Sequence, residues 1–368
     1  MNKTGFGFLR LPKTPEGEID YPFLNTLVDR FLAMGGRYFD TAYTYLNGMS
    51  EVALRKCLVE RYPRDSFLLA DKLPGYKVKE PGDCQAYFDE QLQRCGVTYF
   101  DVYMLHWLDK KHYAIAQQFD EFAFLRQLKA QGKAKRIGFS FHDSPELLDQ
   151  ILTEHPEVDL VLLQLNYLDW SSHSLRAAQL YAVAVSHGKQ VVVMEPVKGG
   201  ALANLPEQAQ QLLLQRKPNT SAASWAIRFA ASLEHVQVVL SGMNTMEQVE
   251  DNLQPMEPLT QEEKALLEQC AQIIRGKTAI GCTGCGYCLE HCPVGMPINR
   301  FFSIFNDQAR DPSDAWKMQP GYDFLANQHV GAAACLGCGQ CEKNCPQGLP
   351  IIAGLAQVAE IFEKEDSQ

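Results

Sequence analysis

The chain has 368 residues, 46% of them hydrophobic, which is enough for two domains, or three, with well-filled cores. Its net charge of −10 at pH 7 excludes the basic face a nucleic-acid binder needs, and no apolar run approaches the roughly 18 residues of a membrane span. The N-terminal stretch Met1–Phe6 lacks the build of a signal peptide, and Cys57, Cys84, Cys95 and Cys270 are scattered singly, so the expectation is no disulfides and a reducing, cytoplasmic setting.

Up to about residue 275, strand and helix signals alternate. Apolar, β-branched or aromatic runs predict strands near Phe6–Leu11, Arg37–Ala42, Phe67–Leu73, Phe100–His106, Arg136–Phe141, Leu160–Tyr167, Gln190–Pro196 and Val236–Gly242. Amphipathic stretches between them predict helices over Phe23–Met34, Glu51–Tyr62, Asp83–Cys95, Glu121–Gln131, Pro145–His155, Ser174–His187 and Ala222–Ser232. Gly35, Gly96, Gly132 and Gly188 stand just past four of them, where a helix commonly ends. Strand and helix repeated eight times predicts an α/β fold, a (β/α)₈ TIM barrel, over residues 1–275. A doubly wound sheet would instead carry a Gly-rich dinucleotide turn, and the nearest match, Gly5-x-Gly7, has Arg10 where the third glycine belongs.

A last helix is expected over Gln261–Ile274, then a linker at Arg275-Gly276-Lys277 and a second domain over 276–368. Eight of the twelve cysteines fall there in two copies of one pattern: Cys282-x-x-Cys285-x-x-Cys288-x-x-x-Cys292-Pro293 and Cys335-x-x-Cys338-x-x-Cys341-x-x-x-Cys345-Pro346. This run resembles the one that holds [4Fe–4S] clusters in bacterial ferredoxins, where the fourth cysteine ligates the other cluster. On that resemblance Cys345 completes the set of Cys282, Cys285 and Cys288, and Cys292 that of Cys335, Cys338 and Cys341. Paired zinc sites are the alternative, although zinc needs neither a third C-x-x step nor the closing C-x-x-x-C-P. Between the runs, Ile298–Ala309, Asp314–Met318 and Tyr322–Asn327 read as helices. The whole is similar to the small, mainly α-helical ferredoxin-type domains of fumarate-reductase-type electron-transfer subunits. The tail, Glu360–Gln368, is acidic and expected to fray.

Reacting residues of a (β/α)₈ barrel sit where strands end. Asp40 and, just beyond, Tyr45 follow the second strand, Lys72 ends the third and His106 ends the fourth. Each has an ordinary alternative, as a helix cap, a packing aromatic, a surface lysine and a core histidine. Together they form a proton donor for a carbonyl oxygen. A buried lysine would lower the phenol's pKa, an aspartate would anchor the lysine, and a neutral histidine would hydrogen-bond the same oxygen.

These residues carry a resemblance. Phe39-Asp40-Thr41-Ala42-x-x-Tyr45 with Gly48-x-Ser50-Glu51, then Asp71-Lys72, Asp101–His106 and Ile137-Gly138-Phe139-Ser140, are similar to the successive blocks of the aldo/keto reductases, here with a C-terminal [4Fe–4S] domain. The resemblance implies a nicotinamide cofactor, Tyr45 as general acid, Lys72 and Asp40 behind it, and His106 orienting a carbonyl or alcohol substrate. It implies Ser140 and Gln164 at the carboxamide, Met194 where an aromatic usually stacks, and Gly242, Gln248 and Asn252 at the adenosine end. Phe141 replaces the usual Asn. No Lys or Arg stands at the adenosine positions for a 2′-phosphate, which leans towards NAD(H) over NADP(H) without deciding between them. Arg10 is a candidate for the pyrophosphate or an ion pair at the barrel mouth.

Three functional readings stay open. The first is a carbonyl reductase whose clusters serve structure, sensing or docking. The second is a ferredoxin-linked oxidoreductase with a ferredoxin or flavoprotein partner. The third is an electron-transfer subunit of a larger complex.

Overall fold

The computed structural model describes residues 3–171, 175–310 and 315–363. Eight parallel strands close into one barrel in chain order, the last pairing with the first. They are β1 (Thr4–Gly7), β2 (Tyr38–Asp40), β3 (Leu68–Leu73), β4 (Phe100–Leu108), β5 (Ala134–Phe141), β6 (Leu160–Gln164), β7 (Gln190–Met194) and β8 (Val236–Ser241). The helices that return the chain are α1 (Tyr21–Ala33), α2 (Met49–Leu54), α3 (Asp83–Cys95), α4 (Lys110–Gln118), α5 (Glu121–Ala130), α6 (Pro145–Glu154), α7 (Ala177–Ser186), α8 (Glu207–Arg216), α9 (Ala222–Ala231) and α10 (Met246–Asn252). The (β/α)₈ expectation holds; the first strand, expected near Phe6–Leu11, lies instead at Thr4–Gly7, and the other seven fall where expected.

The helix boundaries follow local chemistry. Asp20 caps α1 by accepting from Phe23 N at 3.0 Å, with Pro22 in the first turn. Gly96 ends α3 at φ +69°, a conformation costly for any residue with a Cβ. The stretch Glu51–Tyr62 is not one helix, because α2 gives way to a wider helical turn over Arg55–Val59. Ser174, the expected start of α7, lies outside the described residues.

Strand alternation divides two apolar sets. Tyr38, Ala70, Val102, Met104, Leu160, Leu162, Val192 and Leu240 form one buried cluster. Their neighbours of opposite parity, such as Phe39, Leu69, Tyr103, Leu105 and Val161, pack with Leu27, Phe31 and Phe88 of the helices. The first set is the barrel interior. Asp40, Lys72 and His106 have its parity, so they face inward at the strands' C-terminal ends. Asp71 has the opposite parity and faces the helices.

Two compact units emerge. The first comprises Met1–Ser171, Arg176–Val197 and Ala223–Thr260 and holds all eight strands. The second takes Ser172–Leu175, Lys198–Ala222 and Gln261–Gln368. It includes α8 and α11 (Gln261–Lys277), then α12 (Ile298–Arg310), α13 (Ala315–Gln328), α14 (Gln340–Lys343) and α15 (Ile351–Phe362). Helix α11 runs through Arg275-Gly276-Lys277, which the sequence offered as a linker.

The two helices expected around Tyr322 are one, α13, with Pro320 inside it. The expected start, Asp314, and tail residues 364–368 lie outside the described residues. Phe301, Phe302, Tyr322, Leu355 and Val358 form the second unit's core. Asn306 on α12 bonds both backbone groups of Ile280, accepting from its N at 2.8 Å and donating to its O at 2.6 Å. Those bonds hold the segment that enters the first cysteine run.

Candidate functional site

The barrel mouth gathers Asp40, Tyr45, Lys72 and His106. Lys72, fully buried, donates from Nζ to Asp40 Oδ1 at 2.5 Å and to Thr41 O at 2.7 Å. The same Nζ lies 5.0 Å from the centre of the Tyr45 ring. The His106 ring meets Tyr45 edge-on at 5.7 Å. After Tyr45 the backbone passes through three left-handed residues, Leu46 (φ 52°), Asn47 (φ 55°) and Gly48 (φ 83°). Two of those carry side chains, so the turn stores strain beside the phenol.

The electrostatics differ from expectation at one point. Burial first, then the Asp40 carboxylate, pushes the Tyr45 phenol well above its ordinary value. Lys72 was expected to lower it. Its charge is instead engaged by Asp40, whose own carboxyl is raised by burial and pulled back by Lys72. Burial, then the Lys72 charge, holds His106 well below the usual imidazole range, so its ring is neutral. Among the described residues no group pairs with the buried His106 Nδ1.

Behind Lys72 lies a buried network that the sequence did not reveal. Asp71 Oδ1 accepts from Lys72 N at 2.8 Å, and Gln91 Nε2 donates to Lys72 O at 3.0 Å. Burial, then the Glu51 charge, pushes the Asp71 carboxyl well up, so Asp71 keeps its proton beside Glu51. Arg94 pairs with Glu51 at 3.0 Å, and its guanidinium lies 4.4 Å from the Tyr43 ring. The inward face of β3 therefore presents the lysine and the outward face fixes its backbone.

The residues assigned to the nucleotide are less free. Ser140 Oγ accepts from Trp107 N at 2.7 Å, pinning an irregular stretch of β4 where Trp107 has φ 62°. The Ser140 hydroxyl proton remains to be donated. Gln164 Nε2 donates to Asp169 Oδ2 at 3.0 Å, and Asn166 donates to the same oxygen at 2.8 Å and to Glu195 O at 3.1 Å. Met194 ends β7 half-buried, next to Glu195 at φ 54°. Arg10 lies 3.8 Å from Glu195, and its stem passes over Gly242, where an added Cβ would stand 3.5 Å from Arg10 Cβ.

Gln248 completes a capping box with Thr245, its Oε1 accepting from Asn244 N at 2.7 Å. Asn252 is buried and donates to Ser241 Oγ at 3.0 Å. Asn252 ties α10 to β8, and Gln248 fixes the turn that opens α10. The fold also brings Arg30 to α10, where Glu250 takes its guanidinium at 2.9 Å.

In the second unit the eight cysteines divide between two cavities. Cys282, Cys285, Cys288 and Cys345 line one of about 320 Å³. Cys292, Cys335, Cys338 and Cys341 line the other, of about 330 Å³. Each cavity takes three sulfurs from one run and the fourth from the other. A tetrahedral zinc with Zn–S near 2.3 Å would draw its sulfurs to about 3.8 Å apart. Among the described residues the only trio of His, Cys, Asp and Glu ligand atoms mutually within 4.8 Å is Glu51–Asp71–Cys95, so no three of the eight sulfurs are gathered that tightly.

Burial, then repulsion from Cys282, Cys285 and Cys345, pushes the Cys288 thiol up to about 12. Burial, opposed by a hydrogen bond from Gly284 N at 3.4 Å, pushes Cys282 up to about 11. Such thiols ionise only against a cationic core, which a cluster's irons provide. The loops that place them use glycine at matched positions: Gly284, Gly286 and Gly295 in the first run, and Gly337, Gly339 and Gly348 in the second, all with φ between 58° and 85°. The repeated Cys-x-Gly-Cys-Gly was the available signal for this.

A sequence model of a 4Fe-4S dicluster domain matches residues 278–349, so the second unit carries an iron–sulfur domain. Among individual proteins, the chain is similar to an NADH-specific methylglyoxal reductase of Escherichia coli (strain K12), 24% identical over 221 residues, 55% of this chain and 65% of that protein. It is similar to norsolorinic acid reductase B of Aspergillus parasiticus at 30% over 142 residues, 35% of this chain and 36% of that one. The chain thus spans less than two thirds of either relative.

Among solved structures, an aldo/keto reductase of Klebsiella pneumoniae in complex with NADP and acetate matches with a TM-score of 0.60 and 19% identity, over 73% of this chain and 90% of that one. The holo form of an aldo-keto reductase of Bacillus halodurans matches at 0.58 and 23%, over 73% and 91%. These share the fold. The aldo/keto reductase family model matches residues 3–272, across every strand of the barrel, and the chain belongs to that family.

Proposed function

We propose that the barrel moves a hydride between a nicotinamide nucleotide, NADH or NADPH, and a small aldehyde or ketone, or in reverse oxidises the alcohol. The observation that carries this is the buried Lys72–Asp40 pair at 2.5 Å set against the Tyr45 ring, with neutral His106 at its edge. The nicotinamide, when bound, supplies or accepts the hydride.

Tyr45 is the general acid. Its raised pKa keeps the phenol protonated throughout the neutral range, so the proton is present when a carbonyl oxygen gathers charge. Once the proton leaves, Lys72 is the cation that faces the resulting phenolate, and Asp40 keeps that cation in place. Neutral His106 can donate to the same oxygen without competing as an acid. Ser140, with a hydroxyl proton to give, fits a carboxamide oxygen. Gln248 and Asn252 support this end of the site chiefly by fixing α10, with Gln248 Nε2 still available as a donor.

Tyr45→Phe tests the proposal. Reduction of a reactive aldehyde should fall by about 10²–10⁴ while the fold and iron content persist. Full activity in the variant would remove Tyr45 from the mechanism.

In the second unit, Cys282, Cys285, Cys288 and Cys345 hold one [4Fe–4S] cluster, and Cys292, Cys335, Cys338 and Cys341 the other. A second reading for these sites rests on exposure. Cys338 is exposed and Leu336 beside it is 66% exposed, which suits one-electron exchange with a ferredoxin or flavoprotein. Single free thiols and cluster sulfurs favour a cytoplasmic location. Adding NADH or NADPH anaerobically and following cluster absorbance separates the readings. Bleaching joins the clusters to the barrel chemistry, and turnover without bleaching separates them.

A further inference from the structure

We propose that Lys198 sets the two clusters apart in potential, its buried ammonium making the cluster of Cys282, Cys285, Cys288 and Cys345 the easier of the two to reduce. This rests on reading the two four-cysteine cavities as cluster sites.

Lys198 belongs to the second unit and is only 7% exposed. Its Nζ donates to Gln347 Oε1 at 3.1 Å. Gln347 is itself buried, stands two residues past Cys345, and lines the first cavity. The backbone beside Lys198 is pressed onto the same site from another side. A Cβ placed on Gly199 would fall 2.1 Å from Thr283 O, inside the Cys282–Cys285 loop, so only glycine permits that approach. Lys198 itself is held at φ 48°, a conformation an L-residue adopts at a cost unless its surroundings fix it. Gly199 and Gln347 therefore hold this lysine against one cavity from two directions.

Among the described residues neither cavity has a Lys or Arg in its wall, but Gln347, which lines the first, accepts from the buried Lys198, and no residue lining the second accepts from a buried lysine in this way. Lys343, in the second run, is exposed to screening by solvent.

Reduction adds one electron to a cluster, and a fixed positive charge in a poorly screened site favours the reduced form. Net charge, hydrogen bonding and exposure are the levers that spread cluster potentials. Lys198 applies the first of these to one cluster only.

The test is an anaerobic potentiometric titration of the whole protein, followed by EPR, with iron determined on each sample. The wild type should show two separated one-electron waves. Lys198→Met should lower the upper wave about tenfold in its reduced-to-oxidised ratio at fixed potential, about 59 mV for one electron, and leave the lower wave in place. Lys198→Arg should keep it. Cys285→Ser, which alters the first cluster's signal, assigns the wave that moved.

Full iron with neither wave moved, or both moved equally, would overturn the proposal. So would iron loss in Lys198→Met, which would make the residue a structural anchor, or failure of the Arg variant to keep the potential. A wild-type protein without iron would instead sink the reading of the cavities as cluster sites, a separate result.

Discussion

Lys72 and Asp40 meet at 2.5 Å inside the barrel, both nearly sealed from solvent, and the strand register dictates the meeting. Asp40 pairs with Ala70 across β2 and β3, so Lys72 stands two residues further along the same inward face. Removing one partner strands the other. Asp40→Asn should cost about 3–5 kcal/mol of stability, because it leaves a buried charge uncompensated. Asp40→Asn with Lys72→Met should recover part of that loss while activity stays low. Thermal melts of the single and double variants, with kcat/KM on one aldehyde, check this. A double variant no more stable than the single would break the argument.

Tyr45 is held protonated and His106 neutral, so neither should titrate near neutral pH. The kcat of reduction is expected to be flat from about pH 6 to 9, below the ordinary tyrosine pKa of about 10. The measurement is a pH–rate profile at saturating substrate and cofactor. A break near pH 6.5 that disappears in His106→Asn would show that the imidazole ionises in the site.

Glu121 opens α5 only 1% exposed, with both carboxylate oxygens lacking a hydrogen-bond partner among the described residues. It sits so close to Gly75 that a Cβ there would come within 2.3 Å of Oε2. Burial pushes its carboxyl up to about 7, from 4.5. A raised folded-state pKa means that the folded protein binds the proton more tightly. The resulting stability is complete below about pH 4.5 and is lost as pH rises to about 7. Glu121→Gln should therefore be nearly neutral at pH 4.5 and stabilising by up to about 3 kcal/mol at pH 8. Denaturant titrations at the two values decide it, and equal effects at both would refute the assignment.

The crossed cavities make a prediction about iron. Cys345→Ser should disturb the same EPR signal as Cys282→Ser, and Cys292→Ser the same signal as Cys335→Ser, although each pair spans both runs. Chains losing a whole cluster should fall from about eight irons to about four. Signals that instead sort by run would show that each run holds its own cluster.

The barrel was legible because its strands are apolar on both faces and its helices close on glycine, as with Asp83–Cys95, whose bounds agree from end to end. Helices α4 and α8 were missed, and α10 came only through the family resemblance around Gln248 and Asn252. Lys110–Gln118 and Glu207–Arg216 are polar around most of their circumference, and Met246–Asn252 is too short for a period to show. Pro320 broke one helix into two on reading, since proline ordinarily interrupts a helix. The grouping of Asp40, Tyr45, Lys72 and His106 was visible because Asp40, Lys72 and His106 lie towards the ends of successive strands and Tyr45 follows the first of these. The direction of the Tyr45 shift was not, because it depends on how closely Asp40 holds Lys72 and on burial. Asp71 and Glu51 were quoted only as motif letters. Their proton-sharing contact joins β3 to α2, which no spacing along the chain reports.

Cys282, Cys285 and Cys288 emerge from synthesis well before the sulfur that shares their cavity. Cys345 comes after a complete helical hairpin, α12 and α13, and after the whole second C-x-x-C-x-x-C step. A chain released before residue 345 would hold Cys282, Cys285 and Cys288 as an open trio of thiols, and it would also lack Ile352 and Leu355 from the wall around Cys292, Cys335, Cys338 and Cys341. The order of the sequence makes each four-cysteine set depend on what is synthesised after it begins.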